Sequence, residues 1–441
     1  MAGFVLGLFI TLLTGYFSVS VLEREMELRF RLLFAIPLGF AINSILYFLY
    51  LLFNINNFQA FIFFEIAILI ILALLYYNEE KPNIKKHKFK KLSNWFYILN
   101  VYAISIFLKY FINNPMGSWD GFRIWNTKAE FLALNTPLWQ NVFSLPHFMS
   151  HNDYPLMLPA TTARLWNYTG ADNLGVNITI ALFFTFGLVY LLYQSLAYFK
   201  SEKIAVVITS VFMILELFLV NGAAQCADIP LAYLYLSSIV CLFLYCQKSK
   251  FSYLVLATIF ASMSAWTKNE GMMFFSIFSI VVLCWMLYTK KIKEAGKLTL
   301  IALPMLISLI AFKKLAGNTN DLILGLFMTK SYNYIFDLNR YLIIIQTFIT
   351  TIITKVPLLL ILLVLCTKGF KIKEQNKTPA ILGSTIFILC TIGYFSVYLM
   401  SPHDLNWLVE NSIDRIILQM LPIFLLLYGI NLRIGKPDNL K

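Results

Sequence analysis

Residues 118–140 read SWDGFRIWNTKAEFLALNTPLWQ, directly after the apolar run 95–112. Asp120, Arg123, Lys128 and Glu130 stand there among Trp119, Phe122, Trp125 and Phe131, and the next apolar run begins only near residue 172. Connections between bundled helices usually take about 2–8 residues, so segment 113–171 must carry structure of its own. Phe122, Trp125, Ala129 and Leu132 recur at helical spacing, with Arg123, Thr127 and Glu130 on another side. That pattern predicts a helix lying in the membrane interface with its aromatics at headgroup depth, ended by Asn135-Thr136-Pro137. Arg123 and Lys128 are expected in water or against headgroups. A second helical piece follows in HNDYPLMLPATTARLWNYTG, 151–170. Asn152 or Asp153 can cap it, Pro155 suits its first turn and Gly170 can close it. Making this piece a full span would invert every later loop, so it too is expected at the interface.

The rest of the chain explains why an interface is invoked. Of 441 residues, 59% are hydrophobic and 13% charged, and the mean hydropathy is +0.74. Soluble domains are nearer about 45–50% apolar and about 25% charged. Apolar runs of bilayer-crossing length recur from end to end. Thirteen spans are read, at 2–21, 32–53, 58–77, 95–112, 172–199, 204–221, 228–246, 252–266, 271–289, 298–315, 341–365, 379–400 and 413–431. The chain is therefore expected to be an all-α polytopic transmembrane bundle with two outer-face juxtamembrane helices. The first run has no Lys or Arg before it and no small-residue cleavage site, so it reads as a retained helix.

The net charge of +13 would suit nucleic acid, but its placement argues against that partner. Most of the 35 Lys and Arg fall in alternate connections: Arg24–Arg31, Lys81–Lys91, Lys200 and Lys203, Lys248 and Lys250, Lys290–Lys297, Lys368–Lys377 and Arg433–Lys441. By the positive-inside rule these loops are cytoplasmic and touch anionic lipid heads, with the N-terminus outside and the C-terminus inside. Half of the 22 acids gather at the other ends: Asp120, Glu130, Asp153, Asp172, Asp228, Glu270, Asp321, Asp337, Asp404, Glu410 and Asp414. Acids at span mouths suggest a polar chamber at the outer surface. The six Cys form no CxxC pair and sit mostly in apolar runs, and His is scarce at four, which argues against a disulfide framework or a His-rich metal cage. Glu65 and Glu216 fall within spans, where a buried hydrogen bond or a span-end position is the only role read for them.

Five segments in order, all on the expected outer face, then carry a resemblance. They are SWDGFRIWNTKAEFL, HNDYPLMLPATTARLWNYTG, Ala227-Asp228-Ile229-Pro230-Leu231, WTKNEG (266–271) and SPHDLNWLVENSIDRIILQMLP (401–422). The set resembles the GT-C superfamily of membrane glycosyltransferases, in which a long outer loop holds a catalytic Asp and two juxtamembrane helices. The resemblance covers roughly 95–431 and is closest to a bacterial subgroup. It implies a catalytic membrane domain over 95–431, an N-terminal three-helix extension over 1–94 and a cytoplasmic tail over 432–441. It also implies inverting transfer of a sugar from a polyprenyl-phosphate donor to an envelope glycan or lipid acceptor, at the extracytoplasmic face of a bacterial inner membrane.

Such transfer needs a carboxylate to take the acceptor's proton and cations or a metal to hold charge on the departing phosphate. Asp120 is expected as the base, with helix capping as its bland alternative. Asp153 and Asp228 are candidate substrate contacts that capping also accounts for. Lys268, near phosphate, and Glu270, near a sugar hydroxyl, could instead simply pair with each other. Arg415 breaks the charge rule on the outer face, so phosphate capture by its planar fork is expected, against a structural role beside Asp414. His403, Asp404 and Glu410 are read as lining the site. A carboxylate pair such as Asp120 and Asp228 could hold a divalent cation, and the spacing leaves that open. Two other functions stay open: a transporter or flippase, and an envelope glycan polymerase or ligase.

Overall fold

The computed structural model describes residues 2–55, 57–78, 94–134, 137–145, 151–317, 331–358, 360, 363, 369 and 372–433. The basic run Lys81–Lys91, Lys368, Lys371, Lys436, Lys441, Asp321, Cys366 and the expected stop at Asn135-Thr136 lie outside these residues. Among the described residues every regular element is helical. In order they are α1 (Ala2–Leu22), α2 (Leu28–Leu52), α3 (Phe58–Tyr77) and α4 (Asn94–Asn113), then a π turn (Gly121–Asn126) running into α5 (Thr127–Ala133) and a 3₁₀ turn (Pro137–Ser144). After these come α6 (Met157–Thr169), α7 (Leu174–Phe199), α8 (Glu202–Ile214), α9 (Glu216–Ala223), α10 (Asp228–Lys248), α11 (Phe251–Ala265), α12 (Asn269–Tyr288) and α13 (Ile292–Ala316). A second 3₁₀ turn (Ser331–Phe336), α14 (Leu338–Lys355), α15 (Glu374–Met400) and α16 (Leu405–Asn431) complete the chain.

Ten of these helices are long and apolar enough to cross a membrane, and the pair α8–α9 makes an eleventh, bent by 63°. The chain is thus a helical membrane bundle, with fewer unbroken spans than the thirteen expected. The expected span 204–221 breaks at Leu215, whose extended backbone (φ −62°, ψ 122°) separates α8 from α9. The run 252–266 forms only the 15-residue helix Phe251–Ala265. Of the expected span 341–365, α14 covers 341–355, with four Thr, Gln346 and Lys355, and residues 359, 361, 362, 364 and 365 lie outside the described residues.

The bundle is built around α10, in which every residue from Asp228 to Tyr245 is buried. A helix enclosed this way must satisfy its polar side chains internally. Tyr233 donates to Leu33 O at 2.6 Å and Ser238 to Ala257 O at 2.9 Å. α7, α11, α15 and α16 surround it. The N-terminal helices are not a separate layer: α1 and α2 pack on α6, and one apolar cluster runs from Val19 to Leu432. Small residues let α1 and α2 approach closely, as membrane helices require: a Cβ on Gly15 would meet Ala35 O at 1.9 Å.

Segment 113–171 differs most from expectation. α6 is enclosed, while the helix before it keeps one open face, with Phe122 and Arg123 exposed and Thr127, Glu130 and Phe131 half-buried. Ile124, Trp125, Ala129 and Leu132 are buried by protein, and only Trp119 and Phe122 of the aromatics named above remain open at 58% and 37% exposure. α6 is buried from Met157 through Trp166, with α1, α2 and α5 around it. Three charges make that position tolerable. Arg164 Nε and Nη2 donate to the two oxygens of Glu65 at 2.6 and 3.0 Å, and Tyr168 donates to the same carboxylate at 2.7 Å. Lys128, expected in water, is fully buried and donates to the carbonyls of His151 and Tyr154 at 2.7 and 3.1 Å.

The expected caps also move. α6 begins at Met157 without a side-chain cap, so Pro155 precedes it. Asn152 instead donates to Phe143 O and Leu145 O, each at 2.9 Å. Gly170 does close α6, in the left-handed region at φ 79°. Glu216 sits at the α8–α9 break and accepts from Tyr110.

Candidate functional site

The N-terminal ends of α10 and α12 and the face of α16 that carries Arg415 meet the turn before α5, and their charges interlock. The sequence makes this meeting possible through small and amide residues. Gly117 adopts φ +83° and Gly121 has no room for a Cβ, which would stand 2.3 Å from Ala224 O. Ser118 N donates to that same carbonyl at 3.0 Å. Gln225 Nε2 donates to Pro115 O at 2.8 Å, Asn126 Nδ2 donates to Gln225 Oε1 at 2.9 Å, and Asn177 Nδ2 reaches Gln225 and Asn126 at 3.0 Å each. This buried amide knot fixes residues 115–126 against the α9–α10 connection and so aims Asp120. A π turn begins one residue later, a local distortion that often marks functional positions.

Asp120 Oδ2 forms an ion pair with Arg415 Nη1 across 295 residues of chain, and both side chains are about one-quarter exposed. Asp228 Oδ1 accepts from Lys268 Nζ at 3.1 Å and from Gln419 Nε2 at 2.5 Å. Lys268 also pairs with Glu270 Oε1 at 2.7 Å. Gln419 lies one turn beyond Arg415, so a single face of α16 touches both carboxylates. Tyr394 OH donates to Gln419 Oε1 at 2.7 Å and Tyr235 OH lies 3.3 Å from Tyr394 OH, which fixes the amide's orientation from the protein interior.

The structure therefore brings together Asp120, Asp228, Lys268, Glu270 and Arg415. Asp120 stands at the cap position of the π turn and Ala227 at that of α10, and neither Asp120 nor Asp228 makes a side-chain capping hydrogen bond. Asp153 stands one layer behind. Its carboxylate accepts from Asn269, the residue after Lys268, while Lys313 donates to Asp153 O at 2.6 Å and Asn269 Oδ1 at 3.1 Å. Asp153 thus braces the turn that carries Lys268. Asp404 caps α16, accepting from Trp407 N at 2.8 Å, and His403 lies against Trp407 with ring centroids 6.4 Å apart. Arg415 is eleven residues further on, roughly 16 Å along the helix axis, so the structure does not place His403 and Asp404 with the cluster.

Burial and charge shape the chemistry of this region. Burial alone would lower the Lys268 ammonium, but Asp228 and Glu270 more than offset it, and its pKa stands well above the usual lysine value. Burial pushes Lys128 down to about 7, with Asp153 opposing and Lys313 adding to the fall. Burial also raises the Tyr154 phenol and takes the Cys226 thiol, beside Ser118, up to about 12. Tyr154 stacks between Trp125 and His151, with Lys128 and Lys268 5.8 and 5.7 Å from its ring centre.

The residues do not fit a divalent cation. Asp120 is matched by Arg415 and Asp228 by Lys268, and among the described residues no three His, Cys, Asp or Glu stand close enough to hold a metal. Two cavities lie nearby. One, about 20 Å³ beside Cys226 and Gln225, has room for a single water. The other, about 360 Å³, opens beside Glu130 and Asp172, away from Asp120 and Arg415.

Asn126, Asn177, Gln225 and Gln419 were not singled out as site residues from sequence. Gln419, a lone amide four residues after Arg415 in an apolar run, carried a readable signal; the other three did not. Comparison with family models, curated proteins and solved structures finds no match for this chain.

Proposed function

We propose that the chain is a membrane glycosyltransferase of the GT-C type. It would move a sugar from a polyprenyl-phosphate donor to an extracytoplasmic envelope glycan or lipid, with inversion, at a bacterial inner membrane. One observation carries this reading. Three carboxylates and two cations from segments far apart in sequence interlock, with Asp120 and Arg415 partly open and Asp228 and Lys268 enclosed. In the reaction the acceptor oxygen attacks the anomeric carbon, and its proton passes to Asp120. The bond from that carbon to the phosphate oxygen breaks, and its electron pair leaves with the polyprenyl phosphate. Arg415 and Lys268 hold the charge that grows there. Asp228 and Glu270 keep Lys268 charged, and Gln419 holds Asp228 in place beside it. The donor's apolar tail lies against the lipid-facing helices.

The test is Asp120→Asn in purified protein supplied with lipid-linked sugars and envelope acceptors. Transfer is expected to fall by roughly 10³-fold or more, while yield and thermal midpoint stay near wild type. Near-wild-type transfer would remove the assignment. Solute flux in proteoliposomes without transfer would make the chain a transporter instead.

A further inference from the structure

The Asp120–Arg415 pair is at odds with the role just given to Asp120. A carboxylate held by a guanidinium is a weak proton acceptor, because taking a proton weakens a charge-assisted hydrogen bond. The guanidinium is likewise occupied when a phosphate arrives. Both side chains sit in the open part of the cluster, about one-quarter exposed. The Nε of Arg415 is buried and makes no hydrogen bond to any described residue, so one edge of the planar fork stays unfilled. The other two carboxylates of the cluster are already held, Asp228 by Lys268 and Gln419 and Glu270 by Lys268.

We propose that Arg415 is an exchangeable latch: an incoming phosphate monoester or diester takes the guanidinium from Asp120, and that exchange frees Asp120 to act as a base. The inference rests on the transferase reading and adds an order to it. The phosphate-bearing donor binds first, and the acceptor's proton has nowhere to go until it does. This guards the enzyme against unproductive acceptor binding. A phosphate group matches the guanidinium fork as a carboxylate does, a diester with the same single charge and a monoester with more, so the two anions compete for one partner.

Competition makes a prediction that a static pair does not. Removing the carboxylate should tighten phosphate binding. The full-length protein in detergent is titrated calorimetrically with citronellyl phosphate, inorganic phosphate and citronellol. Asp120→Asn is expected to bind citronellyl phosphate about ten-fold more tightly than wild type. Inorganic phosphate should shift in the same sense from a weaker start if the site reads the phosphate alone, and citronellol should not shift. The gain should vanish in Asp120→Asn/Arg415→Leu.

Unchanged or weaker binding of citronellyl phosphate to folded Asp120→Asn overturns the latch, and so does a gain that survives loss of Arg415. If the Asn variant does not fold, Asp120→Ser removes the same charge. Carboxyl footprinting of wild type serves independently: labelling of Asp120 should rise several-fold with citronellyl phosphate, and no rise overturns the proposal. Binding is read without turnover, so failure of the latch is distinguishable from failure of the transferase reading. Tightening without any sugar transfer would keep the latch and remove the enzyme; transfer without tightening would do the reverse.

Discussion

Lys128 shows how far a single side chain can depart from its usual environment. Its ammonium is enclosed beside Asp153 and Lys313, and its pKa falls to about 7. Below that pH the fold must bury a charge, and the full penalty is present. Between about 7 and the ordinary lysine value near 10.4, the unfolded chain keeps a proton that the folded one has lost. Stability therefore rises with pH across that window, by up to about 1.4 kcal/mol per unit. Thermal or denaturant unfolding in detergent from pH 7 to 9 should show a gain of about 2 kcal/mol from this group, and Lys128→Met should flatten it. A slope unchanged by the substitution would place the proton elsewhere.

At the scale of elements, two fastenings hold segment 113–171. Arg164 and Glu65 tie α6 to α3, with side chains 1% and 0% exposed. Arg164→Met leaves the carboxylate buried without its cation and should cost about 3–5 kcal/mol. The double variant Arg164→Met/Glu65→Leu should recover most of that loss, because two apolar side chains restore a neutral interior. Unfolding midpoints of the two proteins decide it: a double variant as unstable as the single would show that packing, not charge, is at stake. The second fastening is Gly121 against Ala224 O. Gly121→Ala must push the π turn and Asp120 outward. Sugar transfer should fall by roughly 100-fold for a displacement near 1 Å, in a protein that still folds. Initial rates beside a melting curve test this.

For the whole molecule, the charge asymmetry predicts a single orientation. Trp119→Cys, at an exposed position after α4, should react in intact cells with a membrane-impermeant maleimide. Lys290→Cys, in the exposed turn between α12 and α13, should react only after permeabilisation. The unmodified chain, with Cys284 exposed on α12, is the blank. Reversed labelling would turn the bundle over and put the cluster on the cytoplasmic side.

The helical membrane class was legible because it rests on local quantities: run length, apolarity and the alternation of basic loops. The same quantities put a helix on each expected run, but could not show that Leu215 breaks one of them or that Phe251–Ala265 is too short. Spacing on a helix says which residues share a face, not what covers that face. Trp125 and Leu132 were apolar enough for lipid and were covered by protein instead. A charged residue in a greasy chain reads as exposed until its partner is known, which is why Lys128 and Arg164 were misread or passed over. Asp120 and Arg415 meet only because the bundle closes over nearly three hundred intervening residues. Pair energies of that kind depend on distances in space, and no property of either residue's neighbours in the chain encodes them.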